Sequence, residues 1–148
     1  MFKRIIYWLL VIMWMILIYK FSAETGEVSA GKSQAITKSI NYLISKTPFE
    51  YKIHWTDHAT RKTGHVVEYL VLAMLIINAL SNSGAEGVSN IAATILISVA
   101  YASMDEFHQS FSVNRGPSVK DVLIDSIGIF IAVILYILKT KYIKFKRA

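Results

Sequence analysis

The stretch "VKDVLIDSIGIFIAVILYIL", Val119 to Leu138, decides the fold. It is as long as the roughly 20 residues that carry a helix across a bilayer core. Its apolar residues form a block, not the periodic stripe of a soluble amphipathic helix. Yet Asp121 and Asp125 interrupt its first two turns. With Ser118 and Gly128 they fall on one helical stripe. At about 1.5 Å rise per residue, Asp125 lies roughly 9 Å below Val119, deep enough to need a reason.

Three further apolar blocks lie upstream, from about 5–21, 63–80 and 90–109. Of the 148 residues, 54% are hydrophobic and 18% charged, against about a quarter charged in soluble domains. The expected fold is therefore all-α: an integral membrane four-helix bundle, with residues 1–148 as a single domain. The opening "MFKR" resembles the basic start of a signal peptide, but "YKFSAE" is a poor cleavage site, so the first block reads as an uncleaved span. The chain has no cysteine, which excludes disulfides and thiolate-bound metal.

The formal charge of +6 does not imply nucleic acid, because of where the charges sit. Lys3 and Arg4 precede the first span, and Lys139, Lys141, Lys144, Lys146 and Arg147 follow the last. Basic residues flanking apolar spans set topology. Both termini are basic, so both are expected in the cytoplasm; the short connection from Ser81 to Ser89, on the same side, has no Lys or Arg. The 22–62 connection, with six basic and four acidic residues, is then the outer loop; long loops translocate with less regard for charge. Within it, Ile36, Ile40, Leu43 and Ile44 recur at helical spacing before Thr47-Pro48. That pattern predicts an extracytoplasmic amphipathic helix over about 33–46, lying in the outer interface or packed on top of the bundle.

This topology gathers polar residues on one membrane face. On span two, His65, Glu68 and Tyr69 share a helix face, with Arg61 and Lys62 at the rim. On span three, Tyr101, Asp105 and His108 align, and Glu106 and Gln109 form a neighbouring pair. Arg115 lies in the loop beyond, and Ser118, Asp121 and Asp125 open span four. Ionisable groups at such depth face the bundle interior with partners. The constellation reads as a wet, charged, outward-facing pocket. The plain alternative is an ionic network that joins the helices.

The segments "RKTGHVVEYL" and "DEFHQSFSVNRGPSVKDVLIDSIG" resemble the VanZ-like family of small bacterial membrane proteins. Lys62, His65 and Tyr69, then Glu106, Gln109 and Phe111, then Arg115, Ser118, Asp121 and Gly128 carry the resemblance. It spans roughly residues 61–138. Asp125 departs from it, standing where an Asn is expected. The resemblance implies a multi-pass protein of the bacterial cytoplasmic membrane. It also implies an association with resistance to teicoplanin, a glycopeptide antibiotic, without supplying a biochemical activity.

The residues themselves admit an acid/base membrane hydrolase or transferase acting on a lipid-linked substrate. Asp105 and Glu106 are adjacent carboxylates that can share one proton, and His65 or His108 can relay it. Asp121 completes the candidate catalytic set. Arg61, Lys62 and Arg115 suit an anionic headgroup, with Tyr69, Gln109, His108, Ser118, Glu68 and Asp125 as further ligand contacts. No nucleophile signature is present, and a lipid-phosphatase pattern is incomplete beyond Gly64-His65. His65, Glu68, Asp105, His108 and Asp121 are metal-ligand types, but their spacing is not distinctive; no metal is assigned and no cofactor is identified. The second class is binding without chemistry: of an envelope lipid, a glycolipid or a glycopeptide, or as an accessory subunit of envelope machinery. Transport is disfavoured by "LAMLIINAL", "IAATILISVA" and "FIAVILYIL", which leave the inner halves of spans two to four apolar. Partners are thus the bilayer and an envelope ligand, with no nucleic acid and no oligomeric state assigned.

Overall fold

A computed structural model describes residues 2–48, 54–109, 111 and 118–147, without the side chains of Lys144 and Arg147. Five helices follow in order: α1 (Phe2–Ser22), α2 (Gly26–Ile44), α3 (Asp57–Asn82), α4 (Gly87–Gln109) and α5 (Val119–Arg147). Four of them, all but α2, are long and apolar enough to cross a membrane. No strand occurs among the described residues.

The helices outrun the apolar blocks because caps, not hydropathy, fix helix ends. α3 starts at Asp57, within the polar segment before its span, because the Thr56 side chain accepts the Ala59 N–H at 3.2 Å and Asp57 occupies the first turn. α5 runs past Leu138 to Arg147, since the basic tail contains neither Gly nor Pro to stop it. The α3–α4 turn reverses through Gly84 and Gly87, whose φ angles of 95° and 57° are left-handed and suit a residue without Cβ.

α3 is the hub, packed against every other helix and most extensively against α5. Between membrane helices the hydrophobic effect does not drive association, and small residues that allow close approach do much of the work. Ala73, Ala79, Ala102 and Ala132 are all buried at these seams. Gly128 shows the limit of that approach: a Cβ there would lie 2.1 Å from the Val66 carbonyl oxygen and 2.8 Å from the Leu70 nitrogen. The outward apolar residues, such as Leu9, Met13 and Ile16 on α1 and Phe130 and Ile134 on α5, remain exposed and face lipid.

α2 begins at Gly26, seven residues before its expected start, and ends at Ile44. It docks on α3 through a polar seam, not its isoleucine stripe. The Thr37 and Thr60 hydroxyls meet at 2.6 Å, both buried. Asn41 brackets the Trp55 backbone, donating to its carbonyl at 2.9 Å and accepting its N–H at 3.0 Å. Ile36 and Leu43 are left 52% and 65% exposed. So α2 is both packed on the bundle and open to the bilayer, on different faces.

The inner half of α4 corrects the expectation of wholly apolar spans. Asn90, Thr94 and Ser98 follow one another at i, i+4, i+8 and are fully buried. The Asn90 amide donates to the Ile77 carbonyl at 3.2 Å and the Ser81 hydroxyl at 2.7 Å. Thr94 returns its hydroxyl to the Asn90 carbonyl at 2.8 Å. The stripe continues through Ala102 to Asp105, Glu106 and Gln109, all buried, so one face of α4 is polar or small from end to end.

Candidate functional site

The last turn of α4 and the first turns of α3 and α5 meet at one end of the bundle. Between them is a cavity of about 230 Å³ lined by His58, Arg61, Lys62, His65, Glu106, Gln109 and Asp121. Six residues of this lining that the sequence assigned to the site thus come from three helices: Arg61, Lys62 and His65 from α3, Glu106 and Gln109 from α4, and Asp121 from α5. Lys62 and Asp121 form an ion pair across the α3–α5 interface. His58, in the first turn of α3, joins the lining.

Glu106 has a structural partner. Its Oε1 accepts the Ser118 backbone N–H at 2.6 Å, which satisfies an N–H just before α5 begins and brings the α4 and α5 ends together. Asp105 faces elsewhere. Its Oδ2 accepts from the Gln109 amide at 3.1 Å, and the hydroxyls of Ser22 and Tyr69 lie beside the same carboxylate. Adjacent helical residues point about 100° apart, so Asp105 and Glu106 take separate partners.

Behind the cavity lies a buried layer. Asp125 is 2% exposed, with its Oδ1 3.5 Å from His65 Nδ1. Glu68 Oε2 is 4.0 Å from the same nitrogen. Asp125 is also within electrostatic reach of Asp105, Asp121, Glu106 and Glu68. Tyr69 is fully buried in the core, 6.5 Å from Tyr101 between ring centroids; it supports the site from beneath instead of lining it. His65 is therefore the link between the open cavity and the buried carboxylates.

Two expected members sit outside this arrangement. His108 turns to α1, where its Nε2 is 3.0 Å from the Tyr19 hydroxyl and its ring packs edge-on against Tyr19 at 4.7 Å. It joins α4 to α1 and does not line the polar cavity. Arg115 lies outside the described residues. Glu68 lines a different cavity, described below. Among the described residues, no three His, Asp or Glu side chains converge to hold a metal ion.

The sequence reading did not give the partners of the groups that hold the site's frame. Trp14 donates its indole N–H to the Glu68 carbonyl at 3.0 Å, tying α1 to α3 beside the buried layer. Tyr101 donates to the Met15 carbonyl at 2.6 Å, tying α4 to α1. A mid-span Trp or Tyr must place its polar atom somewhere in hydrocarbon, and that requirement was the available signal.

Four spanning helices with a polar cavity at one end define a multi-pass membrane protein. The chain belongs to the VanZ/LLP1 family, whose model matches residues 7–140. No curated protein and no solved structure matches the chain.

Proposed function

We propose that the cavity at the α3–α4–α5 end faces outward from the bacterial cytoplasmic membrane, with both termini in the cytoplasm, and recognises an envelope lipid or glycolipid. Through that recognition the protein contributes to resistance against teicoplanin-type glycopeptides. The observation that carries this reading is the cavity's mixed lining: Arg61 and Lys62 suit a phosphate, while Glu106, Gln109 and Asp121 can accept or share hydrogen bonds with hydroxyls of a headgroup. Ionisable residues inside a membrane are a functional site by default, and here they come from three helices to one small volume.

A second reading is a non-catalytic accessory subunit of envelope machinery. The Glu106–Ser118 bond favours it, because a carboxylate with one oxygen engaged by backbone is less free for acid/base work. Were the site catalytic, Glu106 and His65 would handle the proton, with Asp121 and Asp105 in support, and the second oxygen of Glu106 would face the substrate. The deciding experiment is teicoplanin susceptibility in a sensitive host. Cells would carry wild type, Lys62→Ala or Glu106→Gln at equal membrane levels. Protection by wild type and loss in Lys62→Ala support the outward pocket, and loss in Glu106→Gln as well points to chemistry. A wild type that protects no better than empty vector overturns the resistance role.

A further inference from the structure

The polar cavity has a neighbour. A second cavity of about 250 Å³ lies between the end of α1, the inner face of α2 and the first turns of α3, and it shares Arg61 and His65 with the first. Its walls are mixed: Ser22, Ser29, Ser33, Thr60 and Glu68 stand among them, but a larger share of the exposed lining is apolar than in the first cavity. Phe21 and Ile36 contribute apolar surface, and the Glu24–Lys32 ion pair stands at its rim. Gly64 leaves part of it open: a Cβ built there meets nothing within 4 Å. Ile36 lines this chamber and is half-exposed, so the chamber opens at the outer surface of the bundle.

Arg61 stands at the junction. Lys62 is committed to Asp121, whereas Arg61 makes no hydrogen bond or ion pair among the described residues. An exposed guanidinium between a polar chamber and a more apolar one is placed to grip a phosphate whose two ester arms diverge.

We propose that the two chambers hold one amphiphile, a phosphate-diester lipid that enters sideways between α1 and α2. Its phosphate sits at Arg61. Its hydroxyl-bearing headgroup fills the polar chamber against Glu106, Gln109 and Asp121. The start of its hydrocarbon runs over Gly64, beneath Ile36, and out to the bilayer. This rests on the reading of the polar cavity as a lipid-recognition site, and adds the route of entry and the orientation of the bound molecule. α2 is then the lintel of the doorway, held by Thr37 to α3 and by Asn41 to Trp55 just before it, and leaving its N-terminal half over the opening.

The test uses phosphatidylglycerol as probe, in two chain lengths, dihexanoyl and dioleoyl. Binding is read by native mass spectrometry of the full chain from phosphatidylcholine nanodiscs. Gly64→Leu adds bulk where a Cβ meets nothing within 4 Å and removes a helical glycine; an unfolding midpoint at or above that of wild type checks that the variant folds. It is expected to weaken dioleoyl binding at least tenfold and leave dihexanoyl binding within twofold. Arg61→Ala should weaken both at least tenfold, with Arg61→Lys recovering only part. Gly31→Leu, on α2 but outside the chamber and also free of neighbours within 4 Å, should change neither. If Gly64→Leu leaves the ratio of the two affinities unchanged, the chain route is wrong while the pocket reading stands. A wild type that binds neither lipid overturns both.

Discussion

Gly128 gives the sharpest test of how the bundle is held together. In Gly128→Ala the new methyl carbon starts 2.1 Å from the Val66 carbonyl oxygen, against an ordinary C···O separation of about 3.3 Å. The deficit is roughly 1.2 Å, and the opposing atoms are backbone, so no rotamer change relieves it. α5 must move off α3 along the most extensive contact in the fold. Overpacking of this kind costs about 3 kcal/mol at the upper end of its usual range. Alanine returns about 1 kcal/mol of helix propensity, leaving a net loss of about 2 kcal/mol, or roughly thirtyfold in the folding equilibrium. Gly64→Ala supplies the contrast, because its Cβ meets nothing within 4 Å and only the propensity gain of up to about 1 kcal/mol applies. Equilibrium denaturation of both variants in mixed micelles should move the midpoint in opposite directions. If Gly128→Ala is as stable as wild type, the α3–α5 seam is not set by backbone contact, and the account of small residues at the interfaces fails with it.

Further outcomes follow from single contacts. Tyr101→Phe removes the bond to the Met15 carbonyl and should cost about 0.6–1.5 kcal/mol in the same denaturation assay; a neutral result would mean α1 is held by packing alone. Glu106→Ala strands the Ser118 N–H and should cost about 1–3 kcal/mol, whereas Glu106→Gln keeps an acceptor oxygen and should cost under about 1 kcal/mol. Equal losses in the two would show that the cap is not the role of Glu106 in the fold. Asp125→Asn relieves a carboxyl buried among four other acids and should melt no lower than wild type. A loss of about 3–5 kcal/mol would instead reveal a buried ion pair with His65. Asn90→Ala leaves the Ser81 hydroxyl and the Ile77 carbonyl without their amide donor and should cost about 1–3 kcal/mol, visible as a lowered midpoint.

The spans were legible because twenty apolar residues in a row have one common explanation, and the convergence of Arg61, Lys62, His65, Glu106, Gln109 and Asp121 followed from up-and-down topology. Periodicity along one helix, however, says which residues share a face and not which neighbour that face meets. His108 shares a stripe with Asp105 and Tyr101 but ends beside Tyr19 on α1, a partner 89 residues away in sequence. α2 shows the same limit differently: the isoleucines set its amphipathic pattern, yet Thr37 and Asn41 dock it. In a membrane interface apolar residues have lipid as an equally good partner, so polar residues, few and unremarked in the sequence, decide the contacts. The stripe of Asn90, Thr94 and Ser98 does not stand out in the sequence, because Thr94 and Ser98 are small and uncharged and barely lower the hydropathy of their span, and Asn90 stands at its edge.

That stripe bears on how the protein is made. α4 carries Asn90, Thr94, Ser98, Asp105, Glu106 and Gln109 on its buried side, and polar and acidic groups on a span oppose its release from the translocon into lipid. Of the four spanning helices it is poorly suited to partition into lipid by itself. The preceding helix already offers the Ile77 carbonyl and the Ser81 hydroxyl to Asn90, across a turn only a few residues long. α3 and α4 are therefore built to leave the insertion channel as a hairpin, with the acids at the far end sheltered only once α5 has been synthesised and has closed over them.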